Sequence, residues 1–555
     1  MVSDGVNIAS HLPAMADRQP DVLAIACPDG SGGFTRLVYR QLDEESDRIA
    51  RGLEGVGIGR GVRTVLMVQP SPELFAITFA LFKVGAVLVM VDPGMGVKNL
   101  GTCLRQAAPE AFIGIPKAHF ARRIMGWARE TIRINVTVGR RIFWGGHTLA
   151  QIRKGPDTKF DMAPTAGDET AAVLFTSGST GVPKGAVYSH ANFAAQVEIL
   201  REVYGIRPGE IDLPTFPLFA LFDPALGMST IIPEMDATRP ARVDPTKIIG
   251  AIEQFGVTNM FGSPALINRV GRYGATRGIK LPTLKRVISA GAPVPAAALE
   301  RFRTMLPPDG EIHTPYGATE ALPVSTIGSR TILGETAERT ARGEGVCVGK
   351  PVGGIEARVI RISDEAIPRW SASLMVAPGE IGEIAVRGPT VTRSYYGLAE
   401  ATARAKISDP ESGGFYHRMG DVGYFDEQGR IWFCGRMAHR VITDERTMFT
   451  VPCEGIFNEH EAVFRSALVG IVQGGSVKPV LCVELEEEAR GREEETRAAL
   501  LEIGRSNRLT DGIETVLFHP GFPVDVRHNS KIFREKLAVW ASKQLQAMPL
   551  TAGAR

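Results

Sequence analysis

Apolar runs of strand length hand over repeatedly to amphipathic helix patterns, and this alternation constrains the fold more than any single residue does. AAVLFT (171–176) precedes SHANFAAQVEILREVYG (189–205), VTNMFG (257–262) precedes SPALINRVGRYG (263–274), and RVISAG (286–291) precedes APVPAAALERFRTML (292–306). Strand, helix, strand in this order predicts an α/β fold with a largely parallel sheet. Ser263-Pro264 and Ala292-Pro293 stand at two of the handovers, where proline suits a first helical turn that does not need its N–H. Turns of this kind are where such sheets bind ligands.

From about Gly345 the texture changes to short strands punctuated by glycine and proline, such as VCVGKPVGG, GEIGEIAVRGP and GYFDEQGRIWFCGR. That pattern predicts an antiparallel, barrel-like subdomain. A polar, basic stretch follows Gly435-Arg436, and a shorter α+β pattern closes the chain, ending in KIFREKLAVWASKQL. The expected division is a body over 1–435, a hinge at 436–440 and a small lid over 441–555. The stretch LFAITFALFKVGAVLVMVDP (74–93) holds Lys83 and Gly85 near its middle, so it reads as a core helix followed by a buried strand rather than as a membrane span. No internal repeat is visible, and the Glu-rich 486–497 segment reads as a solvated helix face.

Charge narrows the function classes. With 63 Lys+Arg against 61 Asp+Glu over 555 residues, there is no electrostatic case for nucleic acid as a partner. The six cysteines lie scattered, without metal-ligand or disulfide-framework spacing. The opening residues lack a basic region followed by an apolar run, so a reducing cytoplasm is the expected compartment.

The most informative segment is LFTSGSTGVPKGAVYSH (174–190), a buried strand running into hydroxyls, glycines and a lysine. Gly178, Gly181 and Gly185 permit close backbone approach, Thr176, Ser177, Ser179 and Thr180 offer donors, and Lys184 adds a cation, a composition suited to a polyphosphate. It is not a Walker A loop, because Pro183 precedes the lysine and a strand-like segment follows it.

TSGSTGVPKG resembles the signature loop of the acyl-adenylate-forming (ANL) superfamily, which includes acyl-CoA synthetases, luciferases and peptide-synthetase adenylation domains. Further matches follow in order: Gly291-Ala292-Pro293 to the adenine-side turn, Tyr316-Gly317-Ala318-Thr319-Glu320 to YGxTE, Gly420-Asp421 to the ribose-binding TGD, Gly435-Arg436 to the hinge opening, and Lys531 to the late catalytic lysine. The resemblance spans essentially the whole chain. It implies a large α/β domain with a small mobile lid, and an enzyme that uses ATP and Mg2+ to turn a carboxylate into an acyl-adenylate. By resemblance, Glu320 would hold Mg2+, Thr319 would touch the α-phosphate, and Thr176 and Lys184 would steer the outer phosphates. Lys531 would bind the reacting carboxylate and α-phosphate oxygens, Tyr316 would pack on adenine, and Asp421 would hold the ribose. The ordinary alternatives are a salt bridge for Glu320, a turn cap for Asp421 and a solvated helix end for Lys531.

Departures from the superfamily pattern matter as much. Ala438 and His439 stand at the usual acidic pair of the hinge, no glycine occurs between Gly435 and Gly455, Met419 replaces the usual threonine, and Ala220 stands where many relatives carry histidine. Delivery of a thiol by a rotating lid is therefore not the natural expectation. FPLFALFDPALG (216–227), YHRMGDVGYF (416–425) and FPVDVRHNSKIFREKLAVWAS (522–542) are similar to one branch, the OleC-type β-lactone synthetases of bacterial olefin and β-lactone biosynthesis. That likeness implies adenylation of a long-chain 2-alkyl-3-hydroxy acid and closure of a β-lactone by its own hydroxyl. It also implies assembly with thiolase-like, reductase and β-lactone decarboxylase enzymes. A long-chain acyl-CoA or acyl-carrier-protein ligase with a variant hinge is the alternative.

Two further readings stay open. Phe216, Phe219, Leu221 and Phe222, with Met228, wall an alkyl pocket or simply form core. Asp223 handles the β-hydroxyl proton, or it caps a helix begun by Pro224, the commoner role for such a residue. His417 and His190 are read as structural hydrogen-bonders.

Overall fold

A computed structural model of the chain describes residues 6–92, 95–176, 183–525 and 531–547, with the side chain of Thr176 outside that description. Among the described residues, seven strands form one sheet in the order His147–Thr148, Ile134–Thr137, Ala111–Gly114, Arg63–Met67, Val87–Val91, Thr170–Thr176 and Lys184–Ser189. All neighbours are parallel except the last pair, which closes antiparallel. A second sheet, edged by antiparallel Phe34–Val38, holds six parallel-paired strands from Leu23–Pro28 to Glu311–Ala318. It continues antiparallel through Ala321–Gly328, Val346–Pro351, Ile431–Arg436 and Gly414–Phe425. The glycine-punctuated region is thus antiparallel as expected, and hydrogen-bonded to the parallel sheet rather than detached from it.

Local sequence explains the elements that frame the centre of the molecule. Leu74–Pro93 divides into the Pro72–Lys83 helix and the Val87–Val91 strand. The helix is apolar on nearly every face and is therefore buried all round. Lys83, only 1% exposed, is tolerated because its ammonium lies 2.6 Å from Asp43 and also meets Asp47. Ser263 caps the Pro264–Thr276 helix through its side chain. Pro293 is a correction: the next helix is Ala296–Arg303 with Pro295 at its cap, so Pro293 belongs to the irregular stretch after the Gly291-Ala292 bend and not to a first turn. The Glu-rich segment divides into a short Glu487–Ala489 turn and the Glu493–Arg505 helix.

Beyond residue 440 the chain builds a separate three-stranded sheet, Val463–Gln473, Ser476–Leu485 and Thr515–Phe518, with its own apolar cluster around Leu468, Leu481, Phe457 and Leu500. The Arg534–Ala547 helix packs on its other face through Leu537 and Ala541. Lys531 sits just ahead of that helix, where Asp525 donates its N–H to the Lys531 carbonyl at 2.9 Å.

Candidate active site

A cavity of about 1510 Å3 runs between these units, lined at one end by Lys184, Gly291, Thr319, Glu320, Arg436 and Lys531. Each comes from the end of an element: Lys184 opens a strand, Gly291 follows Arg286–Ile288, Thr319 and Glu320 turn between two antiparallel strands, and Arg436 ends Ile431–Arg436. Gly185 is required by packing, since a Cβ there would lie 2.8 Å from Val173 Cγ1 and 2.9 Å from the Phe175 ring. Gly291 has φ +98°, a conformation that opens the turn where a side chain would be strained. Ala292 is half-buried and Pro293 exposed beside it. Ser177, Gly178, Ser179, Thr180 and Gly181 lie outside the described residues, as does the side chain of Thr176.

Glu320 is held by its neighbours. Tyr395 donates its hydroxyl to Oε1 at 2.7 Å, and the N–H of Thr392 donates to the Glu320 carbonyl at 2.8 Å. Lys184 Nζ lies 5.2 Å from the centroid of the Tyr395 ring, and Tyr188 donates its hydroxyl to the Thr319 carbonyl. Oε2 of Glu320 has no donor among the described residues, and Glu320 lines the cavity. A single hard carboxylate oxygen of this kind fits Mg2+ held jointly with phosphates and water. No cluster of three or more acidic, His or Cys ligands occurs among the described residues.

Asp421 is buried, accepts the Tyr316 hydroxyl at 2.8 Å through Oδ2, and lies 3.1 Å from Arg436 Nη1 through Oδ1. Oδ1 nevertheless lacks a hydrogen-bond donor among the described residues. A buried carboxylate oxygen that is ion-paired but accepts no hydrogen bond, next to cavity-lining Gly420 and Arg436, fits a ligand hydroxyl such as that of a ribose. Burial raises the Asp421 pKa, and Arg436, Tyr316 and Lys531 pull it back. Tyr316 and Asp421 do not line the cavity; Gly317, Met419, Gly420 and Arg436 beside them do.

Sequence reading missed three groups here. Tyr395 and Tyr188 brace the Glu320 turn, and their only signal was a tyrosine pair in RSYYG and a tyrosine in the strand after the glycine loop. Lys406 is half-buried and donates to the Thr392 carbonyl, and desolvation of its ammonium brings its pKa down to about 7, against the opposing pull of Glu320. His417 lines the cavity with Nδ1 3.2 Å from the Ala405 carbonyl. Its pKa is driven well below the usual value by burial and by Lys406. His190 accepts the Ile8 N–H in the core, a structural role as read.

The apolar remainder of the cavity is lined from both faces of the seven-stranded sheet. Strand side chains alternate between the two faces of the seven-stranded sheet, and the cavity touches Leu66, Leu88 and Met90 on one face and Met67, Val91 and Phe175 on the other. On the first face it runs on to Phe82, Phe193, Val197 and Phe222; on the second it reaches Leu100, Ala118, Ala121 and Trp127. Phe216, Phe219, Leu221 and Phe222 therefore wall the cavity, whereas Met228 is core. Asp223 is a correction to both of its readings. It is 2% exposed and does not line the cavity, and it forms no side-chain cap on the Asp223–Leu226 helix, whose N-cap is Phe222. It instead accepts the Thr230 hydroxyl at 3.0 Å beside buried Asp212. Burial, then Asp212, pushes its pKa well above the carboxylate range.

Residues 12–396 match the family described as AMP-binding enzyme. The chain is 52% identical over 549 residues to an olefin beta-lactone synthetase of Xanthomonas campestris pv. campestris, covering 97% of this chain and 98% of that one. It is 50% identical over 553 residues to an olefin beta-lactone synthetase of Stenotrophomonas maltophilia, covering 97% and 99%. Among solved structures, the anthranilate CoA ligase AuaEII in complex with anthranoyl-AMP superposes with a TM-score of 0.80 at 20% identity over 98% of each chain. The amide bond synthetase McbA from Marinactinospora thermotolerans superposes with a TM-score of 0.77 at 21% identity, covering 96% of this chain and 99% of that one. Those two likenesses concern the fold alone. The family match and the two relatives of near-equal length agree with the order of motifs around the cavity, and the chain belongs to the AMP-binding, acyl-adenylate-forming (ANL) enzymes as an AMP-forming synthetase.

Proposed function

We propose that this enzyme adenylates a long-chain 2-alkyl-3-hydroxy acid and closes it to a β-lactone, releasing pyrophosphate and then AMP. The observation that carries this reading is a single cavity lined by charged groups at one end and by apolar side chains from both faces of a sheet, which we read as two arms. A straight-chain acid has one hydrocarbon tail to bury. A 2-alkyl-3-hydroxy acid has two, diverging next to its carboxyl group. The names of the two relatives that match over nearly the whole chain support the same chemistry.

In the first step a carboxylate oxygen bonds to the α-phosphorus of ATP and the bond to the pyrophosphate oxygen breaks. Thr319, Lys184 and Lys531 would meet the reacting phosphate and carboxylate oxygens, where preorganised donors count most as charge develops. Asp421 would accept from the ribose at Oδ1, with Arg436 and Tyr316 fixing the carboxylate plane. Glu320, oriented by Tyr395, would hold Mg2+. When bound, the ion neutralises phosphate charge.

In the second step the 3-hydroxyl oxygen bonds to the acyl carbon, AMP leaves with the pair from the broken acyl–oxygen bond, and the hydroxyl proton is released. Two arms that fix both tails would restrict rotation about C2–C3 and hold the hydroxyl near the acyl carbon, converting the closure into an oriented intramolecular reaction. Apolar walls keep water from the adenylate. The 441–555 unit would act as a lid carrying Lys531. Its connection bears on both sides: Arg440 lies 3.0 Å from Asp364 of the body and His439 lies 3.4 Å from Glu535 of the last helix.

The test is the purified protein with Mg-ATP and a long-chain 2-alkyl-3-hydroxy acid, without coenzyme A, followed by NMR for lactone ring protons and by AMP release. Lactone and AMP together are expected. Adenylate that persists until coenzyme A or a carrier protein is added would make the protein a ligase and end this reading.

A further inference from the structure

Twelve large apolar side chains are exposed among the described residues, and five of them fall between 116 and 147: Phe120, Ile124, Met125, Ile142 and Phe143, each 49–63% exposed. A sixth, Val97, is 57% exposed and lines the cavity. The Pro116–Met125 helix explains the clustering. Its inward face carries His119 and Arg122, with Ala118 and Ala121 half-buried against the cavity. Its outer face, where a water-facing helix carries polar groups, presents Phe120 and Ile124 one turn apart. The Phe143 ring stands edge-on to Phe120 at 6.3 Å, and Phe143 in turn packs against Trp144. These tips form one patch rather than scattered surface residues.

The same segment is strongly basic. Residues 116–147 hold seven Lys or Arg against the single acid Glu130, in a chain whose total charge is only +2. Six of the cations, Lys117, Arg123, Arg129, Arg133, Arg140 and Arg141, are exposed. Apolar tips among cations are the composition of a surface that lies in the headgroup region of an anionic bilayer. No helix among the described residues is long and apolar enough to cross a membrane, so the patch suits seating on a bilayer rather than insertion through it. The helix that carries the patch also walls one apolar arm of the cavity, through Lys117, Ala118 and Ala121.

We infer that the 116–147 surface docks on an anionic lipid bilayer, setting the mouth of the apolar cavity against the phase in which a long-chain acid or its product partitions. A protein partner explains the apolar tips but not a dense cationic surround beside a lipid-sized cavity, which is why a bilayer is favoured.

The test is flotation of the full chain with vesicles of phosphatidylcholine containing about one third phosphatidylglycerol, against phosphatidylcholine alone. Wild type is expected to float with the anionic vesicles and to be released by salt. Phe120→Ser, Ile124→Ser and Phe143→Ser combined are expected to lower binding at least about tenfold, and Arg123→Glu with Arg140→Glu to remove the preference for anionic lipid. None of these five side chains lines the cavity, so ATP–pyrophosphate exchange with a water-soluble short-chain hydroxy acid should stay unchanged in both variants and certifies their folding. Absence of wild-type flotation, or flotation unaltered by the apolar triple variant, overturns the inference. So does a wild-type dimer in sedimentation velocity that the triple variant loses without any vesicle binding, since the patch then covers a second copy. Because flotation needs no turnover, its failure is separate from any failure of the lactone reading.

Discussion

Under the proposed mechanism, Lys531 is the residue whose removal should separate chemistry from binding most cleanly. It reaches the cavity from the far side of the hinge and acts on Asp421 and on whatever lies between them, so Lys531→Ala should lower ATP–pyrophosphate exchange by about 100-fold or more. Nucleotide binding, measured by calorimetry, should survive. Tyr395→Phe makes a finer test: it leaves Glu320 Oε1 without its donor, and the expected result is a raised Mg2+ requirement with the fold unchanged. Asp223 leads the other way. An acid whose pKa is raised by folding keeps its proton in the native state after the unfolded chain has lost it. Its contribution is therefore intact below about pH 4 and declines as pH rises toward the elevated native value. Asp223→Asn keeps an acceptor for Thr230 and supplies a donor to Asp212. It should raise Tm relative to wild type by an amount that grows from pH 5 to pH 8, with adenylation and ring closure unaffected. Slowed ring closure would return Asp223 to the mechanism. The sequence could not reveal this, since an Asp before a proline reads the same whether it caps a helix or lies buried beside Asp212.

At the level of elements, legibility followed the range of the forces involved. The division of 74–93 into helix and strand, and the Ser263 cap, depend on residues close in sequence and were readable. The second apolar arm was not, because Met67, Leu100 and Ala118 are drawn from three separate elements, with Trp127 from the turn after the third, and they meet only through the order of strands. Pro293 misled because residues 293–295 stay irregular after the Gly291-Ala292 bend and the helix starts only at Ala296. The two arms make a paired prediction. Ala118→Phe narrows the arm beside the Pro116–Met125 helix, and Leu221→Trp narrows the arm on the opposite face. Each methylene excluded from an apolar site costs about 0.8 kcal/mol, roughly fourfold in kcat/KM. Pyrophosphate release across acids lengthened at C2 or at C4 onward should therefore fall steeply for one branch in one variant and for the other branch in the other. If both variants penalise the same branch, the arms do not take separate tails.

For the whole molecule, the proposed division into a body and a lid bears on why a cyclising adenylate-forming enzyme would need no thiol. The connection at 436–440 meets the body through the Arg440–Asp364 ion pair, in the orientation that presents Lys531 to the cavity, while His439, whose pKa burial brings down to about 4, lies uncharged beside Glu535 at neutral pH. A ligase must leave that orientation to admit a second substrate, whereas a cyclising enzyme already holds its nucleophile. The discriminating compound is the 3-deoxy analogue, a 2-alkyl acid of the same length with no hydroxyl. With it, the enzyme should release about one equivalent of pyrophosphate per active site and then stop, because the apolar walls exclude water and no internal nucleophile is present. The 3-hydroxy acid should turn over continuously under the same conditions, and coenzyme A should accelerate neither reaction. Restoration of turnover on the deoxy acid by coenzyme A would mean that the lid does move to deliver a thiol, and that the ion pair at Asp364 is too weak to hold it.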